Sequence, residues 1–146
     1  NATPAQVAQP EGLPEHWERV LMELASICNE LFETKFKILF ESSREKIPSL
    51  NKVKAMNDCG FQSISFYCDI ERTLMESTDI DKNVEYYQSM INSKFNQAKA
   101  YSRLYSHDNK ERVEFLKKAL QSYTALRDYI TSLKKQEKFQ NEFQKE

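Results

Sequence analysis

The sequence predicts an all-α protein of about four helices arranged as long antiparallel hairpins, and three observations carry that prediction. Between positions 81 and 133 apolar residues recur every three or four residues, the rhythm that holds one stripe on one face of a helix. The chain has two glycines, Gly12 and Gly60, and none of its four prolines follows Pro48, so little interrupts a helix beyond that point. With 40% apolar and 29% charged residues, a chain of 146 residues fits one helix-rich domain that buries a core without staples.

Residues 1–13 lack periodicity and mix small, polar and proline residues, which reads as a flexible lead-in or linker before a helical domain over 14–146. The chain opens on Asn1 rather than Met and reaches Glu146 without a helix terminator, so both ends are expected to be cut from a longer protein. Pro14 suits a first helical turn, and Glu15 favours the positive end of a helix dipole. The first helix then carries Trp17, Val20, Leu21, Leu24, Ile27, Cys28, Leu31, Ile38 and Leu39 and is expected to reach residue 41.

A polar connector ends at Pro48, which biases Ile47 away from helix. Ser49 can cap a second helix bearing Leu50, Val53, Met56, Ile64, Tyr67 and Leu74. Gly60 falls on that stripe. Inside a helix it costs roughly 1 kcal/mol against alanine, so it marks either a close helix crossing or a short break at 58–60.

Thr78 or Asp79 is placed to cap the third helix, whose stripe is Val84, Tyr87, Ile91, Phe95, Ala98, Tyr101 and Tyr105. The short link 106–109 makes the fourth helix its antiparallel neighbour. Asp108 and Glu111 have capping-box spacing, and the fourth stripe runs Val113, Leu116, Ala119, Leu120, Tyr123, Leu126, Ile130 and Leu133. Beyond Leu133 the pattern thins to Phe139 and Phe143, a tail expected to stay helical and to find its partner elsewhere.

Twenty-one basic residues against 22 acidic ones, a formal net charge of −1, give no long-range pull on nucleic acid or anionic lipid. No apolar run is long enough for a membrane span. The three cysteines, Cys28, Cys59 and Cys68, sit among apolar neighbours and read as buried thiols of a reducing compartment. Neither His16 nor His107 follows a glutamate by three residues, so the helix-bundle di-iron spacing is absent, as is HExxH. With two glycines there is no phosphate-cradling loop. Glu33/Lys37 and Glu114/Lys118 read as surface support within helices. No catalytic, metal or cofactor site emerges, and no enzyme is visible.

The tyrosines are more informative. Tyr86, Tyr87, Tyr101, Tyr105, Tyr123 and Tyr129 all fall on the last two helices and read mostly as core with hydroxyls at its rim. Tyr86 and Tyr129 flank the stripes; with Lys94 and Arg103 they are the candidate partner contacts.

Ala98 with Tyr101, followed by Ala119, Tyr123 and Leu126, resembles the small-and-aromatic packing of a tetratricopeptide (TPR) repeat, stretched beyond its usual length of about 34 residues. Over residues 14–146 the chain resembles the C-terminal region of the kinesin-binding protein (KIF-binding protein) family. The likeness rests on Lys94-Phe95-Asn96-Gln97-Ala98-Lys99-Ala100-Tyr101-Ser102-Arg103-Leu104-Tyr105, on the helix from Leu116 to Tyr129, and on Asn57 to Leu74 with its Phe66-Tyr67 pair. It implies a TPR-like α-solenoid segment without enzymatic activity, in the cytoplasm and on the cytoskeleton. Such proteins clasp kinesin motor domains and block their attachment to microtubules, which controls mitochondrial transport and axon growth. The remainder of its own parent chain would be a second partner. A helical-bundle scaffold, dimerising through the fourth helix and its Phe139/Phe143 tail, is the other reading of the same pattern.

Overall fold

The computed structural model describes residues 14–44, 46–77 and 82–144, with the side chains before His16 and after Gln136 left aside. Among the described residues it is all-α. Helix α1 spans Pro14–Lys37 and runs into a π-helical turn, Ile38–Ser42; α2 spans Leu50–Glu76, α3 Val84–Arg103 and α4 Asn109–Gln144. Each helix packs mainly on the next in chain order, and α1 also touches α3.

Helix ends follow local chemistry. Ser49 caps α2, its hydroxyl accepting the Lys52 N–H at 3.3 Å. Asn83 caps α3 through the Tyr86 N–H at 3.0 Å; the expected caps Thr78 and Asp79 lie outside the described residues. Asp108 starts α4 by accepting the Lys110 N–H at 3.1 Å, but its own N–H is taken by the Ser106 hydroxyl at 3.1 Å. The expected return bond from Glu111 is therefore replaced by a serine two residues upstream. The first helix does not continue unchanged to residue 41. One extra residue enters the turn at 38–42, burying Leu39 and bringing Phe40 against Phe36 and Tyr105, each with ring centroids 5.0 Å away.

The core forms two clusters. Phe32, Met56, Ile64, Leu104 and Phe115 draw on all four helices, while Leu21, Ala25, Tyr67, Ile70 and Met90 join α1, α2 and α3. Gly60 lies at a crossing, not a break. A Cβ there would stand 2.8 Å from Leu104 Cδ2 and 2.9 Å from the Phe32 ring. The absent side chain is what lets α1 and the end of α3 close on α2.

Several stripe residues are not core. Leu50, Val84 and Phe95 are exposed, as is Cys68, so the cysteines are not uniformly buried. Cys28 is buried, which pushes its thiol up, with Cys59 adding to the effect. The face of α3 that turns fully inward includes Met90, Ser93, Ala100 and the following Leu104; its small polar members carry no hydropathy signal. On α1 the apolar residues split into two stripes. Leu21, Ala25, Cys28 and Phe32 are buried, whereas Val20, Leu24, Ile27 and Leu31 remain 40–54% exposed.

Candidate partner-binding surface

Glu71 of α2 organises the junction of α2, α3 and α4. It pairs with Lys94 of α3 and accepts a hydrogen bond from Gln97 Nε2 at 3.2 Å. The Lys94 ammonium also sits 5.1 Å from the centroid of the Tyr129 ring of α4, within cation–π range. Tyr86 and Tyr129 pack against the same apolar cluster. Burial, then the neighbouring Tyr86 and Tyr87 and the Glu71 carboxylate, pushes the Tyr129 hydroxyl above its ordinary value. It remains a proton donor at neutral pH. Three of the four residues singled out from the sequence, Tyr86, Lys94 and Tyr129, are thus brought together.

Arg103 is elsewhere, roughly 14 Å further along α3 at 1.5 Å per residue. It donates to Glu33 of α1 at 2.6 Å and lies 5.6 Å from the Phe36 ring centroid. Lys99 binds the same carboxylate. Burial pulls the Glu33 carboxyl upward, but the Lys99 and Arg103 cations outweigh it and hold it below its ordinary value. Glu33 was expected to support α1 through Lys37; it instead ties α1 to α3. Glu114 likewise meets Lys117 at 3.4 Å, while Lys118 reaches over the Tyr101 ring at 5.7 Å.

A second polar framework fixes the link between α3 and α4. Asn57 of α2 donates to the Tyr105 carbonyl at 2.6 Å and accepts the Tyr105 N–H at 3.2 Å. His107 Nε2 lies 2.7 Å from the Pro48 carbonyl oxygen. Arg112 of α4 donates to the Leu104 carbonyl at 2.7 Å and to the Ser102 carbonyl at 3.2 Å, satisfying acceptors freed at the end of α3. Sequence reasoning missed Asn57 and Arg112. Neither belongs to a motif, and backbone acceptors leave no mark on the residues that provide them.

Beside the Tyr86 wall, the first turns of α3 and the start of α1 enclose an open groove of about 680 Å³. Glu18, Glu23 and Glu85 line it against a single cation, the Arg19 guanidinium, so its lining is acidic. Tyr86 supplies an aromatic surface and Asn92 an amide. Among the described residues no group of three or more histidine, cysteine or acidic side chains could hold a metal ion. No described helix is long and apolar enough to cross a membrane.

These features define a helical packing module whose polar groups tie helices together and whose groove beside Tyr86 is acid-lined and aromatic-walled. The chain belongs to the family described as KIF-1 binding protein C terminal, whose model matches residues 11–146. That membership relates it to the kinesin-binding proteins. No curated protein and no solved structure matches the chain.

Proposed function

We propose that the chain acts as a non-enzymatic adaptor that binds kinesin motor domains and keeps them off microtubules. The observation that carries this reading is the family match over residues 11–146. The acid-lined groove supports it, because a motor surface that docks on an acidic microtubule is basic and would be drawn to Glu23 and Glu85. Occupying that surface would block the track by steric exclusion. The consequence would be control of motor-driven transport, including mitochondrial movement and axon growth, in the cytoplasm and on the cytoskeleton.

Packing of each helix on its successor, with α1 also meeting α3 through Glu33, favours reading residues 14–146 as antiparallel hairpins of a TPR-like solenoid. The outward Val113, Leu116 and Leu120 of α4 offer a face for the rest of a parent chain. Of the four candidate contacts, Tyr86 lines the groove and is the residue expected to touch a motor. Lys94, Tyr129 and Arg103 are engaged with Glu71 and Glu33 and would act by holding α3 in place.

Fluorescence-polarisation titration of labelled kinesin motor domains with the chain tests this. Binding weakened about tenfold by Glu85→Lys, with circular dichroism unchanged, is the expected result. Equal binding by the wild-type and Glu85→Lys chains would remove the groove from the site, and no binding to any motor domain would remove the function.

A further inference from the structure

The connector between the π-helical turn and α2 carries a pattern of its own around Ser49. The chain there runs Arg44-Glu45-Lys46-Ile47-Pro48-Ser49-Leu50-Asn51-Lys52. Cations stand five and three residues before the serine and three after it, with Glu45 the one acid among them. Arg44, Lys46, Ser49 and Lys52 are exposed. Ile47 and Leu50 are 70% and 71% exposed, so packing within the chain does not account for them. Basic and apolar side chains at fixed distances from an accessible hydroxyl are what an enzyme reads in a substrate segment.

The local backbone suits that use. Ser49 is extended, with φ −67° and ψ 150°, and lies outside any helix. Its hydroxyl accepts the Lys52 N–H at 3.3 Å, longer than a usual hydrogen bond. That contact occupies a lone pair of the oxygen and leaves its proton for a base. Pro48 is buried, and its carbonyl oxygen lies 2.7 Å from His107 Nε2, so the segment lifts from the α3–α4 link to enter a cleft.

We propose that Ser49 is the phosphoacceptor of a protein kinase whose peptide cleft holds carboxylates for basic residues three and five positions before the serine. In that step the Ser49 Oγ attacks the γ-phosphorus of ATP. The Oγ–P bond forms as the bond from the γ-phosphorus to the bridging oxygen breaks, ADP leaves, and the hydroxyl proton passes to a carboxylate of the kinase. Recognition comes from the exposed basic and apolar side chains; the helix start only fixes where the new charge lands. The product carries close to two negative charges at the first turn of the 27-residue α2, where the helix dipole favours them. The site is independent of the motor reading.

The test incubates the native chain with radiolabelled ATP, magnesium and a kinase catalytic domain directed to basic peptides, with a domain directed to acidic peptides as the control. Mass spectrometry is expected to place one phosphate on Ser49 with the first kinase, and Ser49→Ala should lose it. Arg44→Ala with Lys46→Ala should lower kcat/KM for the chain about tenfold while circular dichroism stays unchanged. Phosphate confined to Ser42 or Ser43, labelling only of the heat-unfolded chain, or equal labelling of Ser49 by both kinases would overturn the proposal. An equal kcat/KM for the wild-type and doubly substituted chains would overturn it as well.

Discussion

Gly60 and Ser63 lie one turn apart on α2, and alanine should act on them with opposite signs. At Gly60 a methyl group would enter the space of Leu104 and Phe32, both fully buried and unable to yield. Overpacking of this kind costs about 1–3 kcal/mol, more than the roughly 1 kcal/mol that alanine gains in helix propensity. Gly60→Ala should therefore lower the midpoint of urea unfolding; a stabilised variant would contradict the close crossing. Ser63 is fully buried, and its hydroxyl has no hydrogen-bond partner among the described residues. Ser63→Ala removes that orphan and should stabilise the chain by about 1 kcal/mol in the same assay. From the sequence, Gly60 was legible as an anomaly on an apolar stripe that favoured a close crossing, though a break fitted it nearly as well. Ser63 was not, because a serine in a helix has no pattern that separates a buried hydroxyl from a solvated one.

Glu33 gives a pH dependence with a defined sign. Its folded-state carboxyl is held below the ordinary value of 4.5 by Lys99 and Arg103 against the pull of burial. The stabilisation is present above that value and is lost as pH falls through the lower folded-state value. Unfolding measured from pH 7 downward should show less acid loss in Glu33→Gln than in wild type. Parallel acid limbs would mean that the bridge contributes nothing to the linkage.

At the scale of elements, the α3–α4 corner depends on side chains that reach backbone. Arg112 supplies the ends of α3 with donors, and Asn57 holds both polar groups of Tyr105 from a third helix. Arg112→Met keeps the apolar stem but leaves the Leu104 and Ser102 carbonyls short of donors, a loss of about 1–3 kcal/mol. Amides of α4's first turns should then exchange with deuterium faster than in wild type, and unchanged exchange would show that water replaces the guanidinium at no cost. The helices themselves were readable from three-four spacing, and the Ser49 and Asp108 caps from residue type. What periodicity could not provide was direction. On α1 two interleaved stripes merge into one apolar run, and only packing reveals that α2 covers the Leu21–Phe32 side. On α3 the inward face includes Ser93 and Ala100, which a hydropathy stripe passes over in favour of Phe95 and Tyr101.

At the scale of the molecule, half-buried polar groups tie the helices together: Glu33 to Lys99 and Arg103, Glu71 to Lys94 and Gln97, Asn57 to Tyr105. Among the described residues an acid-lined groove lies beside Tyr86, and apolar side chains of α1 and α4 are exposed. The groove could not be read from sequence, since Glu85 is far along the chain from Glu18 and Glu23 and meets them only when α3 lies beside α1. The family resemblance was readable, because the order of helical signatures from Asn57 to Tyr129 survives in the chain itself.

The most direct test of the proposed function is co-sedimentation of purified kinesin motor domains with microtubules, in a non-hydrolysing nucleotide state, as the chain is titrated in. Motor moving from pellet to supernatant with a saturable dependence on the chain, and less so with Glu85→Lys, is the predicted result. Motor that stays in the pellet at every concentration, or a chain that pellets with the motor on the microtubule, would contradict it.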